Sequence, residues 1–196
     1  METEIEAKWL DIDKDVVRKK LADIGAVLKY AERKMIRQVY DYPDKRLEKV
    51  GGWVRVRNEG NKITLSYKQL NDRTLHGTKE VSVTVENYDA TCNFLEAIGL
   101  ICTSTQETMR ESWKIGDTEI EIDSWPWIPS FVEIEAKDEN VLFDIAGQLD
   151  LDAKQALHGS VEVAYQAVYN VTEAEVDGWE NIRFSEVPEW LTTKRK

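Results

Sequence analysis

Apolar and charged residues alternate from the start of the chain: Ile5, Ala7 and Trp9 fall on one face of an extended segment, Glu4, Glu6 and Lys8 on the other. The same pentapeptide, Glu-Ile-Glu-Ala-Lys, recurs at 133–137. A strand with one charged row and one apolar row suits a barrel wall, with the apolar row under outer helices and the charged row facing a wet interior. The alternative is a pair of solvated edge strands. Between the two copies the pattern switches period several times. Val16, Val17, Leu21 and Ile24 recur at helical spacing and predict a helix over 11–26, ending near Gly25. Extended segments are predicted at 28–42, from Gly52 to Arg57, at 62–68 and at 79–86, with Glu59-Gly60-Asn61 as a hairpin turn and 72–78 as a polar loop. A second helix runs from an Asn87 or Asp89 cap to Ile98, with Gly99 just beyond it. Strands at 100–113 and 118–123 follow, then the proline-rich Trp125-Pro126-Trp127-Ile128-Pro129, then the second charged strand. Helices are expected at 139–149 and 153–169, with Gly159 interrupting the second. The tally is about eight strands joined by short turns, with helices after the first and fifth: an α+β fold built on a closed eight-stranded antiparallel β-barrel with helices packed outside.

A chain of 196 residues is enough for one packed domain over 1–170, with a tail at 171–196, docked or mobile, carrying Trp179, Phe184 and Trp190. The first twenty residues carry charge throughout and no long apolar run exists, so neither a signal peptide nor a membrane span is expected, and the expectation is a cytoplasmic protein. Cys92 and Cys102 have no metal or redox spacing, and His76 and His158 are the only histidines, which argues against zinc chemistry and a histidine base. A net charge of −11 argues against a nucleic-acid partner, while leaving room for a locally positive site for a small anion. Nothing sets the oligomeric state; a homodimer is compatible with the sequence.

Two Glu-x-Glu strands side by side bring four carboxylates within reach of a hard cation such as Mg²⁺ or Mn²⁺. Arg55, Arg57 and Lys68 share one face of a hairpin. Taken alone, that row reads more readily as a solvated strand face than as a phosphate clamp. Trp125 and Trp127 read as packing of a proline-rich loop before they read as a nucleobase stack. Glu119 and Glu121 read as exposed or flanking, and Tyr67 as core, with Tyr40 a candidate for orienting water.

In order along the chain stand Glu4-x-Glu6-x-Lys8, Arg55-x-Arg57 within Gly52-Trp53-Val54-Arg55-Val56-Arg57, Thr64-Leu65-Ser66-Tyr67-Lys68 and Phe131-Val132-Glu133-Ile134-Glu135. Over residues 1–169 this order resembles the CYTH family, the triphosphate tunnel metalloenzymes. The resemblance implies an eight-stranded tunnel binding a small-molecule triphosphate with Mg²⁺ or Mn²⁺. It places Glu4, Glu6, Asp123, Glu133 and Glu135 at the metal positions, and Lys8, Arg55, Arg57, Lys68, Glu80 and Arg110 at the substrate positions. Glu4, Glu6, Lys8 and Lys68 are the candidate catalytic groups. The implied activity is divalent-metal-dependent hydrolysis of an inorganic or organic triphosphate. The alternatives are a class IV adenylyl cyclase, in which the ribose 3′-hydroxyl of ATP attacks the α-phosphorus, and a non-catalytic polyphosphate-binding module. Two departures stand out: Ser82 and then Thr84 follow Glu80 where the family often has a second glutamate, and Thr108 and Met109 precede Arg110 where it often has a lysine.

Overall fold

The computed structural model describes residues 1–196, the side chain of Glu2 excepted. Its first strands are β1 (Glu2–Thr3) and β2 (Ile5–Leu10), followed by helix α1 (Lys14–Asp23) and the long strand β3 (Val27–Asp41). Then come β4 (Gly52–Asn58), β5 (Ile63–Leu70), β6 (Thr78–Val85), helix α2 (Tyr88–Ala97), β7 (Ile101–Ile115), β8 (Thr118–Ser124) and β9 (Phe131–Ala136). Helices α3 (Glu139–Gln148), α4 (Glu162–Val168) and α5 (Glu173–Asp177), the short β10 (Asn181–Ile182) and helix α6 (Glu189–Thr192) complete the chain.

The strands form one sheet in the order β1-β6-β5-β4-β3-β7-β8-β9-β2, antiparallel along this path, with β10 added in parallel to β7. Its two ends are successive pieces of a single stretch. Glu2 and Thr3 pair with Glu80 and Lys79, and the Glu4 amide donates to the Thr78 carbonyl; from Ile5 onward the chain pairs with β9 instead. The expected closed barrel is corrected accordingly: among the described residues no hydrogen-bond ladder closes the sheet, because the stretch passes from one neighbour to the other at Glu4 rather than pairing with both along its length.

The apolar rows face outward, under the helices. Ala7, Trp9, Ile120, Ile122, Val132 and Ile134 pack beneath Val17 and Leu21 of α1 and Leu142 and Ile145 of α3. Tyr40 and Val56 pack beneath Cys92 and Leu95 of α2. Each such aliphatic or aromatic burial stabilises the fold by about 1.5–3 kcal/mol. The third cluster lies at one end of the sheet, where Trp125, Phe131, Tyr165 and Tyr169 pack with Val171, Val176, Ile182 and Leu191. Val81 and Val83 on β6 are the exception, about half exposed at 48% and 53%, because no helix lies over that strand.

Helix ends fall where local chemistry places them. Asp13 caps α1 by accepting from the amides of Asp15 and Val16, so the helix begins later than the apolar spacing predicts; it stops before Gly25 at φ +80°. The helix predicted over 153–169 is shorter than expected: a 3₁₀ turn at 153–155 and Gly159 at φ +108° precede α4. No helix among the described residues is long and apolar enough to cross a membrane.

Candidate functional site

The inward row of every strand from β2 to β9 points into a single cavity of about 540 Å³. Its geometry follows from register. Across β2, β9 and β8, Glu6, Glu135 and Glu119 lie in one line; in the next, Lys8, Glu133 and Glu121 continue to Ser112 of β7. A third line runs from Asp123 through Arg110 to Arg33 of β3. On the opposite wall Lys68 faces Glu80, and Arg57 faces Arg37. Because the side-chain period of a strand is two, each line presents alternate residues, which is how Glu-x-Glu-x-Lys and Arg-x-Arg place all their charges inside.

These charges neutralise one another. Lys8, 3% exposed, has its Nζ 3.1 Å from Glu6 Oε1 and 3.0 Å from Glu133 Oε2, and donates to the Gly159 carbonyl at 2.8 Å. Lys68 Nζ stands 3.0 Å from Glu80 Oε2 and 2.9 Å from Glu4 Oε2, the latter without hydrogen-bond alignment. Arg55 reaches Glu80 at 3.3 Å, and Arg57 donates from Nη2 to Glu59 at 2.6 Å. Arg110 holds Asp123 through two parallel hydrogen bonds of 2.7 and 2.5 Å, and Glu133 at 3.0 Å.

The carboxyls divide into two kinds. Burial would raise Glu133, but Lys8 and Arg110 hold it well below the usual carboxylate range. Burial pushes Glu121 up to about 7 against the pull of Arg110, and pushes Glu135 up to about 7, with Glu6 and Glu133 adding to the shift. Glu4 and Glu80 shift in opposite directions: burial and then the contact with Glu80 carry Glu4 up to about 8, while Glu80, despite its own burial, is held low by Glu4, Lys68 and Arg55.

All the sequence-predicted site residues therefore reach one cavity: Glu4, Glu6, Lys8, Arg55, Arg57, Lys68, Glu80, Arg110, Asp123, Glu133 and Glu135 line it. Their neighbours revise several assignments. Asp123, the β8 metal candidate, is 1% exposed and committed to Arg110, whereas Glu121, expected to be exposed or flanking, lines the cavity with a buried Oε2 that accepts no hydrogen bond and stands 3.9 Å from Arg110 Nε. Glu59 and Arg37 also line it and were not singled out. For Arg37 the signal was weak, because its row on β3, Arg33, Met35, Arg37 and Val39, mixes charged and apolar residues. Trp125 is occupied: the Arg37 guanidinium lies 4.6 Å from its ring centroid and Tyr165 meets it edge-on at 6.4 Å, while Trp127 packs against Trp179. Tyr40 is fully buried and donates to Gln38. At the two departures, Ser82 hydrogen-bonds Ser66 at 2.8 Å, and Thr108 accepts from Arg37 Nη2 at 2.9 Å. Met109 alternates to the other face from Arg110, so of that pair only Thr108 shares the inward row.

Could these residues hold a divalent cation? The donors are all oxygen, and three carboxyls are pushed up chiefly by burial, two of them, Glu4 and Glu121, with a buried oxygen that accepts no hydrogen bond; a cation among them would relieve that penalty. Among the described residues no three acidic, histidine or cysteine side chains are already gathered as a ready-made ion site. The donor chemistry fits, with Glu121, Glu135, Glu6 and Glu4 the groups not locked in a paired arginine hydrogen bond.

The CYTH domain signature matches residues 2–162. No curated protein matches the sequence. Among solved structures, a candidate adenylate cyclase from Vibrio parahaemolyticus superposes with a TM-score of 0.73 at 17% identity, covering 84% of this chain and 98% of that one. A Pyrococcus horikoshii protein gives 0.68 at 17% identity over 82% and 98%. A candidate adenylyl cyclase from Hippeastrum with a dominant triphosphatase activity gives 0.54 at 12% identity over 89% and 94%. At these identities the likeness is one of fold, and the signature over residues 2–162 carries the assignment: the chain belongs to the CYTH family.

Proposed function

We propose that the chain is a divalent-metal-dependent triphosphatase whose curled sheet works as a tunnel, taking an inorganic or organic triphosphate into the cavity. The observation that carries this reading is the inward face itself. Lysines and arginines from β2, β3, β4, β5 and β7 and carboxylates from β2, β6, β8 and β9 converge on the same space, a density of paired charge that suits a multiply charged ligand. Arg55 and Arg57 can each grip non-bridging phosphate oxygens with a fork of N–H donors, and Lys68 and Lys8 act as point charges beside them. In the structure these cations pair with Glu80, Glu59, Glu6 and Glu133. Phosphate oxygens entering the cavity exchange with those carboxylates as partners of the cations, freeing acidic oxygens to face a metal. Mg²⁺ or Mn²⁺ held by Glu4, Glu6, Glu121 and Glu135 would withdraw charge from the phosphorus and leaving oxygen and provide a site for the attacking water. No histidine lines the cavity, and phosphoryl transfer rests on positioning and charge more than on a dedicated base.

The test is product analysis after incubation with tripolyphosphate or ATP, Mg²⁺ or Mn²⁺, and an EDTA control. Metal-dependent orthophosphate release supports the triphosphatase. Cyclic AMP with pyrophosphate from ATP would replace it with the cyclase reading, and binding without turnover would reduce the protein to a polyphosphate-binding module. Engagement of Trp125 by Arg37 and Tyr165 speaks against a free nucleobase shelf there and ranks the cyclase second.

A further inference from the structure

Five guanidiniums line the cavity, and four have an acid partner: Arg33 and Arg57 have Glu59, Arg55 has Glu80, and Arg110 has Asp123 and Glu133. Arg37 has none among the described residues. Its side chain is 6% exposed, its Nη2 donates to the Thr108 hydroxyl, its Nε is buried without a partner, and its face rests on Trp125. The neighbouring charges make matters worse. Arg57 stands directly opposite it in register, and after burial itself the charges of Arg57, Arg55 and Arg110 press hardest against its protonated form. Asp123 is nearby but spent on Arg110.

A buried cation stacked on an indole recovers part of its lost hydration, yet an unpaired charge among three like charges is a strained arrangement that the sequence could remove with a single change to leucine or methionine. A charge kept where it costs stability implies an anion that sits against it in the working state. From this, and resting on the triphosphate reading above, we propose that Arg37 is a substrate-contacting residue, supplying from β3 the one arginine with no carboxylate to displace when a phosphate group arrives. Thr108, fully buried, and Trp125 then serve to aim its guanidinium. Because Arg55, Arg57 and Arg110 must each give up an acid, Arg37 contributes the larger share of net attraction per cation.

The experiment compares wild type, Arg37→Met and Arg37→Lys by calorimetric titration with an imido-bridged triphosphate, which resists hydrolysis, in Mg²⁺, alongside melting of the unligated proteins. The expected result is binding on the order of 10- to 100-fold weaker in Arg37→Met, with part of the loss recovered in Arg37→Lys. The unligated melting temperature of Arg37→Met should equal or exceed that of wild type, which a merely structural arginine would not allow. Equal affinity of Arg37→Met and wild type overturns the proposal and leaves the triphosphate site standing. A marked fall in melting temperature, or failure of Arg37→Met to fold, also overturns it by making the arginine a structural group. If wild type itself does not bind, the triphosphate reading falls and this inference with it.

Discussion

Lys8 shows how narrowly the interior charges are balanced. It is buried between Glu6 and Glu133 and anchored to the Gly159 carbonyl. Lys8→Met would leave two carboxylates facing each other without their shared cation, a change expected to cost about 3 kcal/mol or more. Urea denaturation reads that directly, and a loss below ~1 kcal/mol would mean the pair is solvated. The raised carboxyls set the pH dependence. A carboxyl raised in the folded state contributes stability that is complete below its unfolded value near 4.5 and is lost as pH climbs through the folded value. Glu121 and Glu135, at about 7, and Glu4, at about 8, should therefore make the metal-free protein less stable between pH 4.5 and 8. Glu80 and Glu133, held low, act oppositely, their contribution disappearing as pH falls below about 4.5. Melting curves in EDTA from pH 4 to 8.5 should pass through a maximum, and Glu121→Gln should flatten the alkaline side; a monotonic rise to pH 8 would contradict the assignment. At this scale the sequence showed which residues carry charge and which face they share. It could not show that Arg110 hydrogen-bonds Asp123 while a buried oxygen of Glu121 is left without a hydrogen bond, because those choices depend on side chains from different strands meeting.

Among the elements, caps and turns are the parts written most locally. Asn87 accepts from the Ala90 amide and Asp138 from the Val141 amide, each satisfying a donor that the first turn of its helix leaves free. Asn87→Ala should cost about 1 kcal/mol, seen as a lower urea midpoint with an unchanged slope. The strands were legible because alternation is strict where one face is a core and the other a charged cavity, as in β2, β8 and β9. The stretch after Gln148 was less so. Its apolar spacing reads as a helix over 153–169 interrupted at Gly159; in the structure Gly159, in the left-handed region, turns the chain so that its carbonyl meets Lys8, and of that helix only α4 is regular. That no ladder closes the sheet was equally hidden, since the handover of the N-terminal stretch from β6 to β9 at Glu4 is a matter of register between strands distant in sequence.

Over the whole molecule, acidity and function coexist because the charges are sorted: the chain carries −11 overall, yet its interior sets cations against acids one by one. The segment beyond residue 170 closes the third apolar cluster through Val171, Val176, Ile182 and Leu191, and its β10 extends the edge of β7. Removing 171–196 forfeits about 6–12 kcal/mol of apolar burial as an upper bound, comparable with the whole stability of a domain. The truncated chain should fail to give a cooperative melt; a sharp transition near that of the full chain would show the segment to be dispensable.

If carboxylates on the paired Glu-x-Glu strands serve a metal-dependent triphosphatase, as we propose, neutralising one of them removes turnover and leaves the fold intact. The direct measurement is orthophosphate release from tripolyphosphate across a Mg²⁺ titration, for wild type, Glu6→Gln and Glu135→Gln, with circular dichroism on the same samples. Mg²⁺-dependent release by wild type is expected, falling by about 100-fold or more in each variant while the spectra superpose. Folded variants that release phosphate at the wild-type rate would contradict it.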